Sequence, residues 1–248
     1  MRAIFLAASC MALALALWAG IAAVPARSTE TPLPLIFLAS QSGQQTLDAD
    51  AEGGNPFASA LIELLQDADM TLARLPTALQ SLTARKSGGM HTPDVPVGVG
   101  DTSLRFGRRA ASERRLALVI VVSDYAASPG AQSLPGARHD AGRIAAALER
   151  SGFNTQIVID RRRTEFRQAL ADFAARSALA DFAAIYTTGH GVEVGGQVHL
   201  LMGDYPIDKG STALASNSVR LEEIAASARA RRGNLVFYGG CRDNPFAK

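Results

Sequence analysis

An α/β fold, with a mostly parallel central sheet covered by helices on both faces, is predicted by three observations. Short apolar, β-branched runs recur at 116–122, 154–159, 182–186 and 235–238. Segments with helical spacing of apolar residues separate them. The runs at 116–122 and 235–238 are continuously apolar rather than alternating, as strands buried on both faces are. With 248 residues, 48% of them apolar, the chain can build one sizeable core and a single domain.

In chain order, residues 35–38 (Leu-Ile-Phe-Leu) read as a short strand, which Pro32 and Pro34 place at an edge. Asn55 caps and Pro56 opens a helix to about Gln66, with Phe57, Leu61, Leu64 and Leu65 on its apolar face. Leu72, Leu75, Leu79 and Leu82 suggest a second helix over 71–83, delayed or kinked by Pro76. Residues 86–115 are rich in Gly, Pro and Arg and form a long connection, with a short strand suggested at 103–106. Beyond it, helices are expected at 140–151, 164–176 with Thr164 as cap, and 220–231. A β-hairpin is expected over 192–202, turning at Gly195 and Gly196.

The formal net charge of +2 gives no nucleic-acid footprint, and Arg161, Arg162 and Arg163 read as a solvated loop before a helix. Arg2 followed by the apolar stretch 4–24 reads as a secretory signal peptide over 1–26, which places the protein in the periplasm or outside the cell. An uncleaved anchor stays open, and only then is membrane contact expected. Cleavage removes Cys10 and leaves Cys241 as the single cysteine. An unpaired cysteine in an oxidising compartment reads as a reactive thiol. The plainer alternative is a buried small hydrophobe, against which stand Gly239 and Gly240 before it and the polar Arg242-Asp-Asn244 after it.

His190 follows the run 182–186 inside Thr188-Gly-His-Gly191, 51 positions before Cys241. Adjacent parallel strands joined by one crossover bring their C-terminal ends together, so His190 and Cys241 are expected to share one crevice. A thiol nucleophile and its base need that arrangement. His190, His199 and Asp204 can be pictured together as a metal set, but their spacing matches no metal motif. A nucleotide-binding Gly-x-x-x-x-Gly-Lys loop and a Gly-x-Ser-x-Gly elbow are both missing.

Residues 115–246 resemble the catalytic core of the caspase-like cysteine peptidases, bacterial branch, near the metacaspases. The matching pieces are the strand at 116–120, Leu134-Pro-Gly-Ala-Arg-His-Asp-Ala141, Gly189-His-Gly191 and Cys241-Arg-Asp-Asn-Pro-Phe246. The resemblance implies a three-layer sandwich and a cysteine-type endopeptidase acting on protein or peptide substrates through His190 and Cys241. It assigns the oxyanion to the backbone N–H groups of Cys241 and Gly191. Gly239 stands where metacaspase-like members have an aspartate that binds a basic P1 residue. Asp48 and Asp124 are the substitutes considered, with Arg or Lys still preferred over Asp. Some members of the family need calcium, but no EF-hand-like spacing occurs here and no cofactor is expected. The other reading of the same resemblance is an inactive binding or scaffold protein. Oligomeric state is not legible.

In that family, a strand, a Gly-x-Asn-x-x-Phe helix start and a Gly-Gly-x-x-x-Pro run follow the cysteine. Here similar pieces lie at the front: 35–39, Gly54-Asn-Pro-Phe57, and Gly88-Gly89 before Pro93. A circular permutation is expected. Residues 31–107 then stand for the C-terminal part of the fold, 108–115 are the linker, and 116–248 are the catalytic part. A tandem-copy remnant and a swap between two chains are the rival readings.

Overall fold

The computed structural model describes residues 31–98, 104–107 and 109–247. The expected signal peptide, the first residue of the suggested strand at 103–106 and the first residue of the linker lie outside the described residues. The elements are β1 (Leu35–Leu38), α1 (Pro56–Gln66), α2 (Leu75–Lys86), β2 (Arg115–Val121), α3 (Pro135–Arg150), β3 (Asn154–Ile159), α4 (Arg163–Ser177), β4 (Phe182–Thr188), β5 (Gly191–Val194) and β6 (Gln197–Leu201). After a 3-10 segment, Ile207–Ala213, come α5 (Leu214–Asn217), β7 (Ser218–Arg220), α6 (Leu221–Ala225) and β8 (Gly233–Tyr238). The main sheet has the order β1-β8-β4-β2-β3, and all its pairs are parallel. A small antiparallel sheet, β5-β6-β7, stands beside it.

The fold is a three-layer α/β sandwich. Successive strand residues point to opposite faces, so each inner strand feeds two cores. Phe37, Val119, Val121, Tyr186, Leu235 and Phe237 face the core shared with α1, α2 and α3. Leu118, Ile120, Ile185, Val236 and Tyr238 face the core shared with α4, α6 and the small sheet. The continuous apolar runs thus follow from burial on both faces.

β1 occupies one edge, paired along its whole length with β8, from Leu35 opposite Leu235 to Leu38 opposite Tyr238. Its ring Phe37 stacks on Phe237, with centroids 4.9 Å apart. On its outer side, Leu38 exchanges both backbone hydrogen bonds with Asp94, at 2.8 and 2.9 Å. Among the described residues, no helix is long and apolar enough to cross a membrane.

Four element boundaries differ from the expectation. α2 starts at Leu75 because Pro76 lies in its first turn, while Thr71 is drawn into an isolated bridge with Arg105. Arg105 forms only that bridge and no strand. α3 begins at Pro135 rather than Asp140, again with proline in the first turn. α4 begins at Arg163, so Thr164 lies inside it; the Glu165 carboxylate accepts from the Arg162 N–H at 3.2 Å. The helix expected over 220–231 ends at Ala225. There Ser227 Oγ turns back to the Glu223 carbonyl, and Asn234 Oδ1 takes the Ala230 N–H at 2.7 Å, fixing turns where the helix would continue.

Removing the front segment would take away Phe37, Phe57, Leu61 and Leu79, all fully buried, and would uncover side chains in the same core, among them Phe237, Leu235 and Ile144. Each fully buried side chain contributes about 1.5–3 kcal/mol, so the loss exceeds the margin on which a domain rests. A fragment of residues 110–248 is therefore expected to be insoluble or to lack a cooperative melt. Circular dichroism and thermal unfolding check this, and a soluble, cooperatively folding fragment would contradict it.

Candidate active site

β4 and β8 are adjacent and parallel, with Thr187 opposite Tyr238. His190 lies two residues beyond the end of β4 and Cys241 three beyond that of β8. Both line one open cleft of about 620 Å³, with Gln45, Thr46, Gln132, Gly191, Val192, Ile207, Asp243 and Phe246 among its walls. Both residues are partly exposed, so the thiol and the imidazole can meet solvent and a substrate.

His190 is held on three sides. Its backbone N–H donates to Tyr125 Oη at 2.8 Å, and the Tyr125 ring meets the imidazole edge-on, with centroids 4.4 Å apart. Burial pushes the Tyr125 phenol far up, so it stays protonated and donates to the Leu201 carbonyl at 3.0 Å. The third contact joins His190 Nε2 to the Gln132 carbonyl at 2.7 Å. A carbonyl only accepts, so Nε2 carries the proton and Nδ1 is left as the basic nitrogen. Among the described residues no hydrogen bond joins His190 to Cys241; they share the cleft rather than a direct contact.

Gly191 lies where β5 begins, so close that a Cβ there would run into the Tyr238 hydroxyl and the Cys241 carbonyl. Only glycine permits this approach, and it packs the His190 loop against the Cys241 loop. At Gly239 a Cβ would stand 2.9 Å from Thr188 Oγ1 and 3.2 Å from Tyr186 Oη. The space for an aspartate two residues before the cysteine is closed by these side chains.

The two other acids expected at the site fall elsewhere in the arrangement. Asp48 accepts from the N–H groups of Gly136 and Ala137 at 2.9 and 3.0 Å, in the first turn of α3. That is a favourable place for a carboxylate, and Asp48 is not among the cleft walls. Asp124 is exposed and lines a neighbouring hollow with Ser133, Leu134, Pro135 and Arg138. His199, weighed with His190 and Asp204 for a metal, is buried on β6, with Nδ1 2.9 Å from Ser218 Oγ. Among the described residues, no three His, Cys, Asp or Glu side chains gather to hold an ion.

Several site residues escaped the sequence reading. Thr46 touches the sulfur: its N–H donates to Cys241 Sγ at 3.3 Å, and its Oγ1 lies 3.4 Å away. Among the described residues Asp243 is the one acid in the cleft wall, and it accepts from Gln45 Nε2 at 2.7 Å. The Asp in Cys241-Arg-Asp243 was visible as a motif residue, but a lone Thr in a polar stretch gave no signal.

The strap from Gln45 to Asp48 is fixed from beneath. Leu47 N–H donates to His91 Nε2 at 2.7 Å, and Asn55 Nδ2 donates to the carbonyls of Leu47 and Gly239 at 2.8 and 3.2 Å. Asn55 also caps α1, its Oδ1 accepting from Phe57 N–H at 2.8 Å, and its own N–H donates to Asp140 at 2.7 Å. Burial pushes the Asp140 carboxyl up to about 7, although the Asn55 N–H and the Arg143 guanidinium oppose the rise. His91 is buried, and burial pulls its imidazole down from the usual histidine value.

A family model described as the caspase domain matches residues 114–247, more than half of the chain. The chain belongs to the caspase-domain family. Among curated proteins nothing matches it.

The Asn55 side chain makes three hydrogen bonds at a buried position, so Asn55→Ala is expected to destabilise the protein by about 2–3 kcal/mol, the cap plus a stranded buried carbonyl. Denaturant unfolding measures this. For His91, the folded value lies below that of the unfolded chain, near 6.5. The unfolded state therefore takes up the proton first, and this contribution to stability is complete above about 6.5 and is lost as pH falls from there through the lower folded value. Melting temperature should fall more steeply below that pH in the parent than in His91→Gln.

Proposed function

We propose that this caspase-domain protein is a cysteine-type endopeptidase of the bacterial, metacaspase-like branch, working through Cys241 and His190. The single observation that carries the reading is the delivery of both side chains to one cleft by neighbouring parallel strands. In this mechanism His190 Nδ1 takes the thiol proton and Cys241 Sγ forms a bond to the scissile carbonyl carbon. The carbonyl π electrons move onto oxygen, and the backbone N–H groups of Cys241 and Gly191 receive the oxyanion. As the C–N bond breaks, His190 returns its proton to the leaving amine. Water, deprotonated by the same imidazole, then hydrolyses the acyl-enzyme and regenerates the thiol. The Gln132 carbonyl on Nε2 keeps the ring in one tautomer and steadies the imidazolium.

Arg or Lys is preferred over Asp at P1 in this reading. Its support is the cleft wall, which among the described residues contains Asp243 and neither Arg nor Lys. Asp48 and Asp124 add negative potential at the same end of the sheet. The front segment 31–107 is read as the C-terminal part of a circularly permuted fold. That reading is supported by the position of β1 on the free side of the cysteine strand, within one chain. The apolar stretch 4–24 behind Arg2 favours export to the periplasm or beyond.

Fluorogenic peptides with Arg, Lys, Asp or Ala at P1, with and without calcium, test the proposal on protein lacking residues 1–26. Cys241→Ala is expected to abolish turnover, and His190→Ala to lower kcat by about 10²–10⁴-fold, with Arg and Lys ranked first. A folded protein with no turnover and an unreactive Cys241 would instead be a binding or scaffold protein.

A further inference from the structure

We propose that the end of the main sheet opposite the cleft is a docking face for a membrane of anionic phospholipid. The proposal goes beyond the peptidase reading and does not depend on it, since no cleft residue takes part.

The face is built by the loops that lead into the strands. The five strands of the main sheet are parallel, so their starts lie together at one end, and the cleft lies at the other. The loops before β1, β2, β4 and β8 are tied to one another there. Asn234 Nδ2 donates to the Pro32 carbonyl at 2.9 Å. The N–H groups of Arg231 and Arg232 donate to the Ala180 and Asp181 carbonyls at 3.1 and 2.9 Å. The Asp181 N–H donates to the Arg114 carbonyl at 2.8 Å, and Asp181 Oδ2 accepts from the Arg114 N–H at 2.9 Å.

The positive charge of the molecule is concentrated at this end. Residues 31–34, 109–114, 178–181 and 226–232 hold five arginines, at 109, 114, 229, 231 and 232, against Glu113 and Asp181. That excess of three exceeds the +2 of the whole chain, so the remainder is slightly negative. Asp181 pairs with Arg231 and Glu113 with Arg232. Glu113 is buried, whereas Arg109, Arg114, Arg229 and Arg231 are exposed.

Two apolar side chains stand out among these arginines. Leu33 is 87% exposed and Leu179 61%. Leu33 follows Pro32, and Leu179 precedes Ala180, whose carbonyl takes the Arg231 N–H. An acidic protein or a nucleic acid would satisfy the arginines and leave the leucines in water. A lipid surface takes both: guanidinium groups bind its phosphates, and leucines enter the boundary of the acyl chains. The chain also enters the fold here. Only six residues, at most about 20 Å of extended chain, separate the apolar stretch 4–24 from Thr31. A membrane that holds or releases that stretch is within reach of this face. A strand of six or seven residues spans about 20 Å, so the docked molecule opens its cleft on the side away from the lipid.

The test is sedimentation of the protein lacking residues 1–26 with vesicles. One set contains phosphatidylglycerol and phosphatidylcholine in equal parts, the other phosphatidylcholine alone. Binding to the mixed set only, weakening as salt is raised, is expected. Arg114→Gln with Arg229→Gln should lower the partition coefficient about 25-fold, at roughly fivefold per arginine. Leu33→Ser with Leu179→Ser should lower it about tenfold. Arg161→Gln with Arg162→Gln, which removes equal charge from the opposite end of the sheet, should leave it unchanged. All six side chains are exposed, and circular dichroism checks the fold; the leucine pair carries the test if the arginine pair disturbs it. No binding to either set, or equal binding to both, would overturn the proposal. So would unchanged binding in the arginine or the leucine pair, or an equal loss in Arg161→Gln with Arg162→Gln. Peptide hydrolysis is read separately, so neither reading falls with the other.

Discussion

Arg242 is the residue whose charge the surrounding chain must satisfy. It follows Cys241 directly and is almost fully buried. Its Nε donates to Glu193 on β5 at 2.8 Å, and its Nη1 donates to Asp94 at 2.9 Å and to the Ser40 carbonyl at 3.0 Å. Burying a guanidinium with a partner missing costs about 3–5 kcal/mol, so these acceptors must all be in place when the loop after β8 closes. One comes from the hairpin that follows His190, and two come from the front segment. Glu193 is itself engaged by Ser42 Oγ at 2.8 Å. The charge next to the cysteine therefore couples the correct seating of the thiol to that of two distant stretches of chain.

Much of this was legible. The runs at 116–122 and 235–238 had to be inner strands because nothing polar interrupts them, and Pro32 with Pro34 marked an edge that β1 indeed occupies. The pairing of His190 with Cys241 in one cleft followed from parallel topology alone. What was not legible depends on contacts across the sequence. Thr46 reaches sulfur only because Asp48, Leu47 and Asn55 anchor the strap, and no local pattern encodes those partners. The third contact of the histidine is a backbone carbonyl, that of Gln132, and every residue carries one. Asp48 was singled out for its charge, yet its oxygens serve the N–H groups of α3. The helix expected after Arg220 was cut short by a side chain, Asn234, that lies beyond it.

The missing aspartate before Cys241 has a physical counterpart in the packing. Tyr186 and Thr188 rise from β4 on the side where its carboxylate would go, and they leave no room for a Cβ at Gly239 without moving. Reintroducing the acid would therefore require repacking of β4 as well. Asp243, two residues after the cysteine, lines the cleft on its other side.

The pairing of β1 with β8 joins residues two hundred positions apart, from Leu35 to Leu235. Contacts so distant in sequence form slowly, because a long loop must close before they return anything. On a ribosome, β1 and its helices emerge early and must wait with apolar faces uncovered until the last strand is made. Cys241 follows β8 and meets the strap at Thr46 only then. A chain that stops short of β8 thus has the strap and the histidine without the wall that closes their cleft.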